Sequence, residues 1–498
     1  MQLKLPMVKK ATSLFSLDVI DPGQSGRSAY VRIADRLRAA IASTALRPDA
    51  RLPSSRTLAR DFGVARNTVD EALDQLVAEG LIVRRRGVGS FVSAQTAQAN
   101  RPAAPLRQCP PPAARLSHRA QLLRRYPGHF KPIRSVPFTP SLPPDDLFPR
   151  KTWTRLLSRE ASRAGATYWD FGASNGLPAL REAIAGHANA LRGARASADQ
   201  VIVVTSTQQA AELTAKVLGD PGDSCWVENP GYQPVQHVLR SSGLDVVQVP
   251  VDEQGIDVAA GCQMQPDARL AYVTPAHQFP MGYEMSASRR QALLDWARSR
   301  DAYILEDDYD GDYRYEGKAI TSLQDLDRER VIYVGSFNKI LFPALRIAYA
   351  LVPAALIDAF VDAKHVADGH TALLSQGVLA AFISEGHLAH HLRATRLAYN
   401  DRRLAFLEES QCLSELIEFG PALAGMHVTG VLKDQALDDR AIAAACAALG
   451  VMVEPLSKFG ECGRRGLVFG FVGASREAAR SGLRVVHQAV TDQQSTSA

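Results

Sequence analysis

Apolar positions in the first hundred residues recur with the period of a helix. Tyr30–Leu37 opens such a stretch and puts Ile33, Leu37 and Ile41 on one face. Pro53-Ser54-Ser55-Arg56 predicts a second, short helix capped by Ser54 or Ser55, with Leu58 and Phe62 as its buried side and Gly63 at its end. After the Gly63-Val64 turn a third helix is expected from Arg66 to Glu79, with Val69, Leu73 and Leu76 on one face and Gly80 closing it. Two strand-like runs follow, Leu81–Arg84 and Ser90–Val92, joined by Arg85-Arg86-Gly87-Val88-Gly89. From about residue 130 the pattern changes. Short apolar runs (Val201–Val204, Asp223–Val227, Asp245–Val249, Leu270–Thr274, Tyr303–Glu306 and Val331–Val334) alternate with helical stretches. Such alternation predicts an α/β fold, a largely parallel sheet flanked by helices. The Pro/Ala-rich stretch between the two patterns has few apolar residues and reads as an extended linker. The expected organisation is therefore a tail over 1–26, a first domain over 27–93, a linker over 94–129 and a second domain over 130–498.

Charge sharpens this division. Residues 1–150 carry 24 Lys/Arg against 11 Asp/Glu, a net of +13; the remaining 348 residues carry 33 against 41, a net of −8. A basic end on an acidic body suits contact with a polyanion. The six cysteines form no Cys-x-x-Cys pair, which fits a reducing compartment. No apolar stretch approaches the roughly 20 residues of a membrane span, and the first residues lack the apolar core of a signal peptide. These features lead to the expectation of a cytoplasmic protein without a membrane partner.

Helix, short helix, glycine turn, helix and basic hairpin make a winged helix-turn-helix. In such a unit the third helix enters the major groove of double-stranded DNA by its first residues, here Arg66, Asn67 and Thr68. Arg66 has the donors to read a guanine edge, and Asn67 an adenine edge or a phosphate. Arg56 at a helix start, and Arg84, Arg85 and Arg86 with Gly89 in the wing, suit the phosphate backbone.

The second half holds a different chemistry, centred on Lys339 in Gly335-Ser336-Phe337-Asn338-Lys339. A lysine amine condenses with an aldehyde to a Schiff base. Lys339 lies thirty-two residues after Asp307 and seven before Arg346. Pyridoxal phosphate (PLP) needs such a lysine, a carboxylate for the ring nitrogen, a phenol for the ring oxygen and anion contacts for the phosphate. Asp307 and Tyr309 end the Ala302–Leu305 apolar run, and as positions i and i+2 of a strand they would share a face. The same alternation would turn Asp308 and Asp310 away. Ser336, Arg346 and the helix start Thr205-Ser206-Thr207 supply phosphate contacts. Tyr232, in Glu228-Asn229-Pro230-Gly231-Tyr232, could stack on the ring, and His277, in Thr274–Gly282, would belong to the pocket wall. The metal reading of His387, His390 and His391 is set aside for a solvated helix face, and no metal site is expected.

The chain resembles the MocR/GabR subgroup of GntR-type transcriptional regulators, in which a winged helix is fused to an aminotransferase-like domain of fold type I. The resemblance runs from about residue 27 to 475. It rests on Leu52–Arg56, Ala65–Val69, Gly87–Val92, Glu228–Tyr232, His277–Pro280, Glu306–Asp310, Gly335–Lys339 and Pro343–Arg346. It implies PLP carried as an aldimine on Lys339, a homodimer, often head-to-tail with exchanged domains, and transcriptional control by an amine or amino-acid effector or by PLP itself. The sequence departs from the family at Ser206, where glycine is usual, at Met281, where Ser or Thr is usual, and at Phe279, where many aminotransferases have asparagine. Leu467 takes the place expected of the arginine that clamps a substrate carboxylate, leaving Arg464, Arg465 and Lys458 as candidates. The intact set of Asp307, Tyr309, Ser336, Lys339 and Arg346 argues against a plain DNA-binding repressor that has lost the cofactor, and two further functions stay open on this reading. One is a PLP-dependent DNA-binding regulator with at most a partial aminotransferase half-reaction. The other is an active aminotransferase carrying a DNA-binding domain.

Overall fold

The computed structural model describes residues 28–94, 115–124, 136–163, 165, 168–317, 320–461 and 463–497. The tail over 1–26 and most of the predicted linker lie outside these residues. The chain divides into two compact units, Met1–Arg115 and Leu116–Ala498.

In the first unit, helices α1 (Ala29–Ala42), α2 (Ser55–Phe62) and α3 (Arg66–Ala78) precede a hairpin of β1 (Ile82–Arg85) and β2 (Gly89–Val92). Ser54 is the residue that caps α2, its hydroxyl accepting the Thr57 N–H at 3.2 Å. Gly63 ends that helix at φ 65°, a left-handed conformation that glycine adopts without strain. The faces predicted from periodicity are the buried ones: Ile33, Leu37 and Ile41 of α1, Leu58 and Phe62 of α2, and Val69, Leu73 and Leu76 of α3 form one core. Ile82 and Val92 pair across the hairpin and close this core from below.

The second unit is built on an eight-stranded sheet of order β3-β10-β9-β8-β7-β4-β5-β6. Its strands are β3 (Val201–Val204), β4 (Ser224–Asn229), β5 (Asp245–Asp252), β6 (Gly255–Ile256), β7 (Leu270–Val273), β8 (Tyr303–Asp308), β9 (Val331–Ser336) and β10 (Ala348–Leu351). Five neighbours, β5, β4, β7, β8 and β9, run parallel, whereas β10 is antiparallel to both β9 and β3. Strands β3, β7, β9 and β10 are buried along their whole length, and β4 and β8 are part-exposed only at their ends, as expected where helices cover both faces. A smaller four-stranded antiparallel sheet follows, with β11 (Ile417–Phe419), β12 (His427–Leu432), β13 (Glu454–Pro455) and β14 (Gly466–Gly470) in the order β11-β12-β14-β13. Among the described residues, no helix is long and apolar enough to cross a membrane.

The topology fixes where chemistry can collect. In an open parallel sheet, ligands bind beyond the carboxyl ends of the strands. Thr205 follows β3, Tyr232 follows β4, His277 follows β7, Tyr309 follows β8 and Lys339 follows β9. Because β10 is antiparallel, its start lies at this same edge: Ala348 pairs with both Val204 and Ser336. Arg346, two residues earlier, therefore stands beside Ser336 and Thr205.

Candidate cofactor site and nucleic-acid interface

Asp307 lies at the end of β8 and is buried. Burial pushes its carboxyl up to about 7, opposed by hydrogen bonds that favour the ionised form. Tyr272 Oη donates to Oδ2 at 2.7 Å and Thr207 Oγ1 to Oδ1 at 3.3 Å. Tyr272 was not among the predicted residues; as an aromatic inside an apolar strand it carries no local sign of a polar role. Register supplies it, since β7 lies beside β8 with Tyr272 opposite Leu305. Lys339 Nζ donates to the Ser141 carbonyl at 3.0 Å. Burial lowers the pKa of this amine, while Asp310 and Asp307 act to raise it.

The residues expected to contact a phosphate lie at the neighbouring edge. Ser206 caps the helix Thr207–Leu218, accepting the Gln209 N–H at 3.3 Å, and Ser206, Thr207 and Ser336 are all buried. Arg346 is exposed, in a left-handed conformation at φ 54°, and among the described residues no carboxylate pairs with it. Thr205 differs from expectation, because Gln209 Oε1 occupies its N–H at 2.9 Å and its hydroxyl at 3.3 Å. Asn338 is an unpredicted brace: it donates to the Thr205 carbonyl at 3.1 Å and accepts the Ile347 N–H at 3.0 Å, tying three edge segments together.

The opposite wall is aromatic. Tyr232 meets Phe279 edge to face at 5.8 Å, and Phe279 meets Tyr309 in the same way at 5.9 Å. Burial raises the Tyr232 phenol to about 12 and lifts that of Tyr309 well above its ordinary value, so both stay protonated at neutral pH. Behind Tyr309 lies His277, whose Nδ1 is 3.0 Å from the phenol oxygen and 3.1 Å from Asp310 Oδ2. The alternation argument holds for Asp308, which accepts from Tyr333 Oη at 2.6 Å away from this cluster. It fails for Asp310. The strand ends at Asp308, whose Oδ1 accepts the Gly311 N–H at 3.0 Å, and the resulting turn brings Asp310 back, fully buried, under His277. His427, from β12 of the small sheet, packs on His277 with ring centroids 4.9 Å apart. His277, Asp310 and His427 place side-chain heteroatoms within 4.8 Å of one another.

The candidate carboxylate clamps are scattered. Arg464 reaches Tyr283 Oη at 3.4 Å, Arg465 stands 3.7 Å from Asp439, and Lys458 pairs with Glu454 at 2.6 Å; all three are exposed. Leu467 is buried in β14. The histidine helix, His387–Glu409, is not uniformly solvated either, since His391 is buried and bonded to the Ile340 carbonyl at 3.1 Å.

On the first unit, Ala65 is the extended residue before α3, and Arg66 and Asn67 at its start are exposed. Arg66 is 3.4 Å from Asp70 on the next turn. Arg56 and Arg86 are exposed, and neither has an ion-pair partner among the described residues. Arg84 behaves differently: Asp74 at 2.6 Å and Asp70 at 3.6 Å hold its guanidinium on α3. Arg85 lies over the Phe91 ring at 4.7 Å. Arg51, which sequence reasoning passed over, is exposed beside the wing; a Cβ on Gly89, which sits at φ 130°, would lie 3.2 Å from its Nε.

Residues 29–92 match the gntR family of bacterial regulatory proteins, and residues 146–468 match the class I and II aminotransferases. The chain is 36% identical over 462 residues to the probable rhizopine catabolism regulatory protein MocR of Rhizobium meliloti, covering 92% of this chain and 93% of that one. It is 33% identical over 448 residues to the transcriptional regulator TauR of Rhodobacter capsulatus, with 87% and 90% covered. It is 28% identical over 462 residues to the pyridoxine biosynthesis transcriptional regulator PdxR of Corynebacterium glutamicum, with 92% and 95% covered. Among solved structures, an archaeal alanine:glyoxylate aminotransferase superposes with a TM-score of 0.68 at 25% identity, over 76% of this chain and 96% of that one. The α-aminoadipate aminotransferase LysN of Thermus thermophilus gives 0.68 at 25%, over 76% and 98%.

Proposed function

Because the chain belongs to the MocR subgroup of GntR-type transcriptional regulators, with a GntR domain joined to a class I and II aminotransferase domain, we propose that it binds double-stranded DNA under the control of PLP held at Lys339. One observation carries this reading. Asp307 and Tyr309 at the end of β8, Ser336 and Lys339 at the end of β9, and Arg346 just before β10 lie along one edge of the sheet.

The residues present fit the cofactor. Asp307 has a phenol and a hydroxyl supporting its ionised form, as the partner of a pyridine nitrogen requires. Arg346, Ser336, Ser206 and Thr207 offer a guanidinium, hydroxyls and a helix start to a phosphate. When bound, PLP supplies a reactive aldehyde and an electron-withdrawing ring. The protein's part is to lower the Lys339 pKa by burial, so that more of the amine is neutral and nucleophilic.

An amine effector would compete for the Lys339 linkage, and a dimer would present two DNA-binding units. To regulate, that effector must bind two states of the protein with different affinity. The absorption spectrum with added PLP tests the cofactor reading. A visible band in the wild type that is absent from Lys339→Ala is the expected result; a protein that stays colourless in both refutes it. DNA affinity unchanged by PLP and by every amine tried would refute the regulatory part, and sustained turnover with a keto acid would favour an enzyme instead.

A further inference from the structure

Two buried side chains, His277 and Asp310, stand behind Tyr309. The Asp310 carboxylate faces His277 Nδ1 with both oxygens, at 3.2 and 3.1 Å, and Oδ2 also accepts the Met426 N–H at 3.3 Å. Tyr309 Oη lies 3.0 Å from that same Nδ1 and 3.1 Å from the His277 carbonyl. Gly425, which has φ 76°, packs closely against this pair: a Cβ there would stand 2.1 Å from His277 Cε1 and 2.6 Å from Asp310 Oδ2.

With Asp310 ionised, one proton arrangement suits these contacts. If Nδ1 were a bare lone pair, it would face the Asp310 carboxylate in a buried site, an acceptor against an acceptor. Asp310 therefore requires a proton on Nδ1. His277 then donates both to Asp310 and toward the Tyr309 oxygen. The Tyr309 proton cannot return to Nδ1 and is left for the His277 carbonyl or the pocket. A phenol oxygen that accepts a hydrogen bond is also the stronger donor. Consistent with this, His277 Nε2 has no hydrogen-bond partner among the described residues in its buried position.

We propose that Asp310, acting through His277, is a positioning residue that turns the Tyr309 hydroxyl proton toward the pocket, so that Tyr309 meets the ring oxygen of PLP as a donor. The last clause rests on the cofactor reading above; the proton arrangement does not.

Two measurements test the proposal. In cofactor-free protein labelled with ¹⁵N-histidine, the His277 resonance, identified by its loss in His277→Gln, carries its proton on Nδ1 in the wild type. In Asp310→Ala that proton moves to Nε2. Retention on Nδ1 without Asp310 overturns the proposal. The second is a double-mutant cycle on PLP affinity. Asp310→Ala weakens binding about fivefold alone, the scale of one hydrogen bond, and less than about twofold when Tyr309→Phe is already present. An equal loss in both backgrounds overturns it, because Asp310 would then act by its charge on Lys339 and not through Tyr309. Should Asp310→Ala fail to fold, Asp310→Leu, which is close in volume and has no hydrogen-bond acceptor, gives the same readings. Absence of PLP binding in the wild type would overturn the cofactor reading and the proposal's last clause, while the NMR result would still decide the role of Asp310.

Discussion

Tyr272→Phe removes one oxygen from a fully buried site and changes almost nothing else, so its cost measures the support that Asp307 receives. The lost hydrogen bond is the 2.7 Å contact from Tyr272 Oη to Asp307 Oδ2, leaving, among the described residues, only Thr207 at 3.3 Å. In the folded protein, burial raises the Asp307 carboxyl from 3.8 to about 7, and the Tyr272 hydrogen bond acts to lower it. At pH 5 the acid is mostly protonated, and losing a neutral hydrogen bond costs about 1 kcal/mol. At pH 8 it is mostly ionised, and losing a bond to a charged group costs about 2–3 kcal/mol. The difference of about 1.4 kcal/mol corresponds to one further pKa unit upward. Urea unfolding of the cofactor-free protein at the two pH values, followed by tryptophan fluorescence, gives both numbers. All four tryptophans (153, 169, 226 and 296) lie in the second unit, so separate melting of the DNA-binding unit does not enter the signal. The slope with urea should be unchanged. A penalty at pH 8 no larger than that at pH 5 would show that the phenol does not support an ionised Asp307.

Other consequences follow from the same contacts. Burial raises Glu228 from 4.5 to about 7, so the folded chain holds this proton more tightly than the unfolded chain. Stability should therefore fall as pH rises from about 4.5 through 7, and Glu228→Gln should flatten that fall in the urea titration; an unchanged slope contradicts the assignment. Arg346→Ala should weaken PLP about tenfold or more and leave pyridoxal, which lacks the phosphate, nearly unaffected in parallel binding titrations. Arg66→Ala or Asn67→Ala should cost about 1–3 kcal/mol on an operator selected from random duplexes and relax its sequence preference, whereas Arg56→Ala or Arg86→Ala should weaken all duplexes alike and reduce the salt slope by about 1. Arg84→Ala should change DNA affinity less than either of the latter, because Asp74 and Asp70 already hold that guanidinium.

Much of this was legible in the sequence where a local rule governs. The three helices of the first unit follow from apolar spacing and from Ser54 and Gly63, and the same faces are buried in the structure. The parallel strands follow from short apolar runs between helical stretches; the structure extends β4, β5, β8 and β9 beyond the predicted ends by two or three residues. Lys339, Asp307 and Arg346 were visible because their side chains carry chemistry that apolar strand ends do not need. Tyr272, Gln209 and Asn338 were not. Each acts on a residue that the fold brings near: Tyr272 and Asn338 need the order and register of the sheet, and Gln209 needs the helix start to turn its amide back onto Thr205.

Asp310 shows most clearly where pattern reasoning stops. Alternation assigns faces only while the backbone stays extended, and β8 ends two residues before it. From there its direction is set by a turn that Asp308 closes on Gly311, and its neighbours come from two distant segments, His277 after β7 and Met426 before β12. The third member of the cluster, His427, is itself a β12 residue, with Nε2 bonded to the Pro280 carbonyl at 3.0 Å and a pKa pushed down to about 3 by burial and by His277. The small sheet therefore forms one wall of the Tyr309 environment. A change in how β12 lies against the Thr274–Gly282 segment would disturb Met426, His427 and the Asp310–His277 contact together. No periodicity in either segment announces that dependence, because it exists only once both sheets are assembled.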